Sequence, residues 1–173
     1  TILVDPQIGI VTPKSSLANT ANVLWSINIS AECQEAKDAD NKISVVSEAN
    51  LGFDEMDKPE PPIIGEYVSV YFPHSEWNGV FKNYSTDARP TPVNGDTWGF
   101  EIKSNIENKI QLDFSSIETV PQQFEVWLVD KLLSTTQNVK LKNKYSFTNL
   151  SSKNPRQMML VIGNSTFVHD KLT

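Results

Sequence analysis

The sequence has a single cysteine and two histidines, and it lacks the short motifs that mark common enzyme classes. Cys33 has no second cysteine to pair with, so an internal disulfide is excluded and the redox compartment stays open. Gly-x-Ser-x-Gly, His-Glu-x-x-His and a glycine-rich phosphate loop are all missing. His169 lies near the end of the chain, which leaves His74 as the one histidine suited to base chemistry. We therefore expect a protein that is not an enzyme.

Basic residues are in the minority, and long apolar runs are missing. Lys and Arg number 15 against 21 for Asp and Glu, which gives a net charge of −6. Proteins that bind nucleic acid need a basic face, so we expect no nucleic-acid partner. A membrane helix needs roughly 18 to 20 apolar residues in a row, and no stretch approaches that length, so we expect no membrane span. The 173 residues, 39% of them hydrophobic, suffice for one domain with a buried core.

What the sequence does contain is a repeated alternation of apolar and polar residues, which is the period of a β-strand. The clearest runs are residues 23–31, 67–72, 97–103, 110–114 and 124–128. Shorter candidates are residues 8–12, 42–47, 132–137, 144–148 and 157–163. Residues 31–40 are polar nearly all round, which predicts a loop or at most one helical turn.

These patterns predict an all-β fold, a two-sheet antiparallel β-sandwich (Ig-like or jelly-roll-like) with long ordered loops and little helix. Residues 1–17 are predicted to be a lead-in segment or edge strand, residues 18–167 a single β-sandwich domain, and residues 168–173 the start of a linker. The apolar positions of the alternating runs predict the core, which should include Trp25, Ile27, Val70, Phe72, Trp98, Phe100, Leu112, Phe124, Val126 and Leu128.

The loop between Gly52 and Pro62 is acidic and holds prolines at positions 59, 61 and 62. Proline fixes φ and lacks an N–H, so this segment is predicted to be neither helix nor central strand. Backbone amides near the prolines need acceptors, and short carboxylates supply them locally. We predict an ordered structural brace in which Asp54 and Asp57 accept hydrogen bonds from the backbone.

Two acidic clusters are also candidates for a Ca²⁺ site, because Ca²⁺ prefers oxygen ligands supplied by loops. The first consists of Asp38, Asp40 and Asn41, and the second of Asp54 and Asp57. They flank the predicted strand 42–47, whose ends lie about 15 to 20 Å apart at about 3.3 Å per residue. That spacing favours a site formed by either loop alone, completed by backbone carbonyls and water. The alternative is that these side chains form turns and solvated loop surface.

Aromatic residues suggest a second kind of site. Trp77 lies in a polar loop close to His74 and Tyr84, and Trp127 lies on the strand face opposite Val126 and Leu128. Exposed aromatic rings beside amides and acids can stack on sugar faces, which predicts a polysaccharide ligand bound by these four residues. Equally, Trp77 folds back as a hydrophobic plug for its own loop. Whether Trp77 is buried discriminates between the two interpretations.

Several motifs together resemble a known family. They are Trp25-x-Ile-x-Ile-x-Ala, the block 50–62 with Gly-Phe-Asp and Pro-Glu-Pro-Pro, and the run 67–74 that ends in Phe-Pro-His. Over roughly residues 20–167 the chain resembles the extracellular β domain that precedes the C-terminal secretion-sorting segment in surface and secreted proteins of Bacteroidetes, Chlorobi and Ignavibacteria-like bacteria.

The resemblance implies an extracellular or cell-surface location and a non-catalytic structural or adhesive role, with neighbouring domains of the parent protein as partners. A carbohydrate-binding module that uses the loop aromatics is the alternative. No sorting segment follows Thr173, so we expect this chain to be an excised or processed piece.

Overall fold

A computed structural model describes residues 22–150 and 153–173, and most of these residues lie in β-strands. The strands are β1 (Val23–Cys33), β2 (Ala36–Val46), β3 (Lys58–Pro59), β4 (Val68–Pro73), β5 (Asn83–Arg89), β6 (Gly95–Ser104), β7 (Lys109–Ser115), β8 (Glu125–Asp130), β9 (Thr135–Asn138), β10 (Lys144–Thr148) and β11 (Arg156–Gly163). A 3-10 turn spans Ile117–Thr119, and the helix α1 spans Ser165–Leu172. Neither helix is long and apolar enough to cross a membrane, as far as the described residues go. The fold is all-β.

The prediction of a two-sheet antiparallel sandwich is wrong. The strands form a single curled sheet, shaped as a half-barrel, in the order β10-β7-β1-β2-β5-β4-β6-β11-β8-β9, with β3 added to β5. The sheet is mixed, because β2 and β5 run parallel while the other paired strands are antiparallel. Alternation along a strand shows only that one face is buried, which is equally true of a sandwich and of a sheet that curls over its own core.

One connection makes the sheet continuous. The first four residues of β4 pair with β6, whereas Phe72 and Pro73 pair with Tyr84 and Asn83 of β5. β5 in turn pairs with β2 on its other side. The two halves of the sheet are thus hydrogen-bonded through β4 and β5, and a gap in the ladder remains where the start of β4 turns away from β5.

Three other segments differ from their predicted structure. Residues 31–40 form the tight hairpin between β1 and β2 instead of a loop, with Gln34 in the left-handed region at φ 53°. Strand β5 is absent from the predicted set. The end of the chain forms α1 where the sequence predicts the start of a linker, and Asn164 caps this helix by accepting a hydrogen bond from Phe167 N–H at 2.9 Å. The predicted lead-in at residues 1–17 and strand at 8–12 lie outside the described residues.

The core lies inside the curl, and every residue predicted for it is buried. Trp25 and Trp98 meet edge to face with their ring centroids 5.8 Å apart. Alternation therefore identified the buried face of the strands correctly, even though it could not identify how the strands are joined.

The two edges of the sheet are β9 and β10, which follow one another in the chain. The side-chain amide of Gln137 in β9 donates to the carbonyls of Lys142 and Lys144, at 2.7 and 2.9 Å. Tyr145 of β10 reaches back to Asp130 at the end of β8, with its hydroxyl donating at 2.7 Å. Side chains, rather than a backbone ladder, connect the two edges.

Candidate functional site

His74 follows directly after β4 and is held on both sides by carboxylates. Its Nδ1 lies 2.6 Å from Glu76 Oε1, and its Nε2 lies 3.0 Å from Asp87 Oδ2. Burial opposes the charged imidazolium, but the hydrogen bonds to Asp87 and Glu76 outweigh it and raise the pKa of His74 above its ordinary value. Both ring nitrogens are thus engaged, and the side chain is only 10% exposed. His74 therefore lies between two carboxylates that favour its protonated form.

Asp87 and Arg89 of β5 form a larger network with His74. The fully buried Asp87 carboxylate accepts from Arg89 Nε at 2.9 Å and from Arg89 Nη2 at 2.7 Å. Arg89 also donates to Asp96 and lies over the Trp98 ring, with its guanidinium carbon 4.9 Å from the ring centroid. Burial alone would raise the pKa of Asp87, but hydrogen bonds from His74 and Arg89 lower it. We call these residues, with Glu76, the His74–Asp87–Arg89 network.

Trp77 closes over this network instead of facing solvent. Its ring stacks on the His74 imidazole with the centroids 3.6 Å apart and the planes 2° apart, and only 7% of the residue is exposed. Tyr84, which is fully buried, meets the Trp77 ring edge to face at 4.8 Å. Phe53 then covers both rings at 6.3 and 5.7 Å. Three of the four residues predicted to bind a ligand are therefore packed together as a plug.

Trp127, the fourth predicted ligand-binding residue, lies away from this plug. It stands half-buried in β8, where its register partners are Val161 and Asn138. Its indole Nε1–H donates to Glu125 Oε2 at 2.6 Å. The structure therefore leaves part of one aromatic ring at the surface, held by a carboxylate on the same strand.

The loop after β2 forms the brace predicted from its sequence. Asp54 accepts from the backbone N–H of Asn50 and Met56, at 2.7 and 2.8 Å. Asp57 accepts from Asp54 N–H and from Ala88 N–H of β5, both at 2.9 Å. The predicted contacts of both carboxylates with the backbone are confirmed. Burial raises the pKa of Asp57 to about 6. All four carboxylate oxygens thus accept backbone hydrogen bonds.

The three residues of the other acidic cluster lie on β2 and differ in their burial. Asp38 is half-buried and accepts from Val70 N–H of β4 at 2.7 Å, and Asn41 is buried. Asp40 between them is exposed. All three residues line one cavity, which neither Asp54 nor Asp57 reaches. No group of three or more His, Cys, Asp and Glu side chains is placed to share a metal ion within residues 22–150 and 153–173.

Sequence reasoning missed Asp87 and Arg89 of the His74–Asp87–Arg89 network, and it missed Glu60, which borders the same cavity as Asp38 and Asn41. The first two are separated by one residue, the spacing that puts both side chains on one face of a strand. Glu60 stands between Pro59 and Pro61, and a glutamate fixed in this way is a signal for a positioned carboxylate. Both patterns are present in the sequence, but neither indicates which distant residues lie beside these side chains in the fold.

Comparisons with protein-family models, with curated proteins and with solved structures find no match to this chain. The resemblance over residues 20–167 therefore rests on the sequence motifs alone. What the protein does has to be inferred from those motifs and from the side-chain geometry described above.

Proposed function

We propose that this protein is a non-catalytic structural or adhesive module of a larger exported bacterial protein, located outside the cell or on its surface. The observation that carries the proposal is the closed packing of His74, Trp77 and Tyr84. These are the residue types from which a catalytic or sugar-binding site is built, and here they connect β4, β5 and the loop between them. Export is supported by the motifs that resemble an extracellular bacterial β domain.

The plug also supports an exposed apolar surface. Phe53, which packs on Trp77 and Tyr84, is 49% exposed, and Phe81 and Val80 in the loop before β5 are 51% and 91% exposed. The two loops meet at Gly79, where an added Cβ would lie 2.5 Å from the Tyr84 hydroxyl oxygen. We define Phe53, Val80 and Phe81 as the apolar tip. Held in place by the plug, this tip is the surface that an adhesive module would offer to a neighbouring domain or to another surface.

A bead-adhesion assay tests the adhesive role. Beads that carry the protein are washed over glass coated with protein, and the retained fraction is counted. Val80→Asp places a charge on the apolar tip and should lower retention to that of bare beads. Val93→Asp is the matched control, because Val93 is 92% exposed on a different loop. Equal retention of wild-type and bare beads would refute adhesion and leave the structural role.

The alternative function, a carbohydrate-binding module, is favoured by one observation, the partly exposed ring of Trp127. A panel of soluble polysaccharides is titrated into the protein, and the intrinsic tryptophan fluorescence is recorded. A structural or adhesive module should show no saturable change with any of them. A saturable change that Trp127→Ala abolishes and Phe81→Ala preserves would establish carbohydrate binding and refute the proposed function.

A further inference from the structure

The gap in the ladder beside β4 holds a small polar cavity that the proposed function does not use. β2 and β4 are not hydrogen-bonded neighbours in the sheet, yet Val70 N–H of β4 reaches Asp38 of β2. A cavity of about 260 Å³ lies between these strands and the loop at residues 59–62, which we call the proline-rich loop. Its polar lining includes Asp38, Asn41, Glu60, Ser69 and Ser85.

A β-bulge turns two side chains of β2 into this cavity. Ala31 of β1 pairs with Asp38, whereas Ile29 pairs with Asn41, so three residues of β2 advance against two of β1. Cross-strand partners point to the same side of a sheet, and both Ala31 and Ile29 are buried in the core. Asp38 and Asn41 therefore share the inner face although they are three positions apart, which regular alternation would forbid.

Two oxygen atoms in the cavity lining have no hydrogen-bond partner in the described part of the chain. Asn41, which is 1% exposed, donates its Nδ2 to the Ile29 carbonyl at 3.3 Å and leaves Oδ1 unpaired. Glu60 accepts from the Ser69 hydroxyl at 2.7 Å through Oε1 and leaves its buried Oε2 unpaired. Buried polar atoms in native proteins are nearly always paired, so both oxygens call for a donor or a cation.

The charges in the lining favour a cation over a neutral donor. Asp38 and Glu60 are both acidic, and the exposed Asp40 and Glu66 also border the cavity. Lys37 also borders the cavity, but its ammonium group lies 2.7 Å from Glu32. A water molecule could donate to both unpaired oxygens but would leave the two carboxylates uncompensated. A divalent cation would satisfy the oxygens and neutralise the charge together.

We propose that Asn41 Oδ1, Glu60 Oε2 and the Asp38 carboxylate bind one hard divalent cation of the Ca²⁺ class in the gap between β2 and β4. All of these donors are oxygens, which is the ligand set of Ca²⁺, and water in the cavity can complete its coordination. The residue set differs from the predicted one, because Glu60 replaces Asp40, Asp54 and Asp57. The ion would bridge β2, the proline-rich loop and, through Asp38, β4 where the backbone ladder is interrupted. This site is independent of the proposed function.

Thermal melts and Tb³⁺ luminescence test the site at pH 8. Ca²⁺ that binds only the folded protein raises the melting temperature as its concentration increases, so melts in 1 mM EDTA and in about 5 mM CaCl₂ should separate. Tb³⁺ substitutes for Ca²⁺, and its emission should be sensitised by Tyr67, which borders the cavity. Added Ca²⁺ should displace Tb³⁺ and reduce the emission.

Glu60→Gln is the decisive variant, because it keeps the hydrogen bond with Ser69 and removes the charge. It should weaken Ca²⁺ binding at least tenfold. Glu48→Gln, at an exposed position that does not border the cavity, is the matched control and should stay within twofold of wild type. If Glu60→Gln does not fold, Asp38→Asn gives the same test, since asparagine can still accept from Val70 N–H. Superimposable wild-type melts, or unchanged affinity in the charge-removing variant, would overturn the site and leave a bridging water as the partner of both oxygens.

Discussion

Replacing Asp87 with Asn tests whether the His74–Asp87–Arg89 network holds the fold together. The substitution keeps the shape of the side chain and removes its charge. In the structure the Asp87 carboxylate lies 3.0 Å from His74 Nε2 and accepts two hydrogen bonds from Arg89, at 2.9 and 2.7 Å. An asparagine can accept on one side only, and its amide N–H₂ would face either Arg89, which is a donor, or His74 Nε2, which accepts only in the neutral imidazole.

The expected cost follows from burial and from the partners that remain. Asp87 is fully buried, and removing one partner of a buried ion pair costs about 3 to 5 kcal/mol. Arg89 keeps Asp96 and the Thr97 carbonyl, at 2.9 and 3.0 Å, so its charge is not left without partners. We therefore expect a loss of about 3 kcal/mol, the lower end of that range. A loss of that size is a large part of the roughly 5 to 15 kcal/mol that stabilises a typical domain.

Urea unfolding, followed by tryptophan fluorescence at pH 6 and pH 8, measures both the loss and its dependence on pH. Because the pKa of His74 is raised in the folded state, its contribution to stability is complete below about pH 6.5 and is lost as pH rises through the folded pKa. Wild-type protein should therefore lose stability from pH 6 to pH 8. Asp87→Asn removes the charge of the buried partner of His74. The variant should therefore lose less stability between pH 6 and pH 8 than the wild type. Contributions from other titrating groups cancel in this difference.

Asp96→Asn is the control, because Asp96 is the more exposed partner of Arg89, with 32% of its side chain accessible. An ion pair of this exposure contributes about 1 kcal/mol or less. If Asp87→Asn cost no more than Asp96→Asn, or if it kept the full pH dependence of the wild type, the network would not be a source of stability and our reasoning would be refuted.

Two further predictions concern the brace and the core. Asp54→Ala and Asp57→Ala should each lower the melting temperature. The loss should be larger for Asp57, about 1 to 3 kcal/mol, because its removal leaves the buried Ala88 N–H of β5 unpaired, whereas Asp54 accepts from an exposed and a half-buried amide. Glu66→Ala, at an exposed position, serves as control, and unchanged melting of both variants would disprove the brace. Replacing Phe100, which is 1% exposed, by Ala should lower the free energy of unfolding in urea by about 3 to 5 kcal/mol. A loss below about 1 kcal/mol would contradict the place of Phe100 in the core.

Strand alternation predicted most of the sheet but missed β5. In this strand Tyr84, Ser85, Thr86, Asp87 and Ala88 are all buried, so no polar face alternates with an apolar one. The reason is that β5 is central, paired with β2 on one side and with β3 and β4 on the other. Its polar side chains are satisfied by distant residues such as Lys58 and His74. A strand whose burial depends on such partners cannot be identified from its own residues.

The candidate sites were partly predictable for a related reason. The block 52–62 contains its own acceptors, and the brace formed largely from residues within a few positions of one another. The partners of His74 were harder to predict, because Asp87 belongs to β5, the strand that alternation missed. The pairing of Asp38 with Asn41 on one face depends on a bulge, and alternation assigns them to opposite faces. Hydrogen bonds between residues close in sequence could be predicted, whereas the pairing register of distant strands could not.

The bridged edges of the sheet bear on how the protein behaves at high concentration. A free edge strand is a template to which another chain can add, and such addition leads to polymers and amyloid. Here Gln137 donates across to the backbone carbonyls of Lys142 and Lys144, and Tyr145 is tied to Asp130. Each edge thus lies against the other through side chains, which reduces the backbone available to an incoming strand. At high concentration, copies of the protein are therefore expected to stay separate instead of joining into a common sheet.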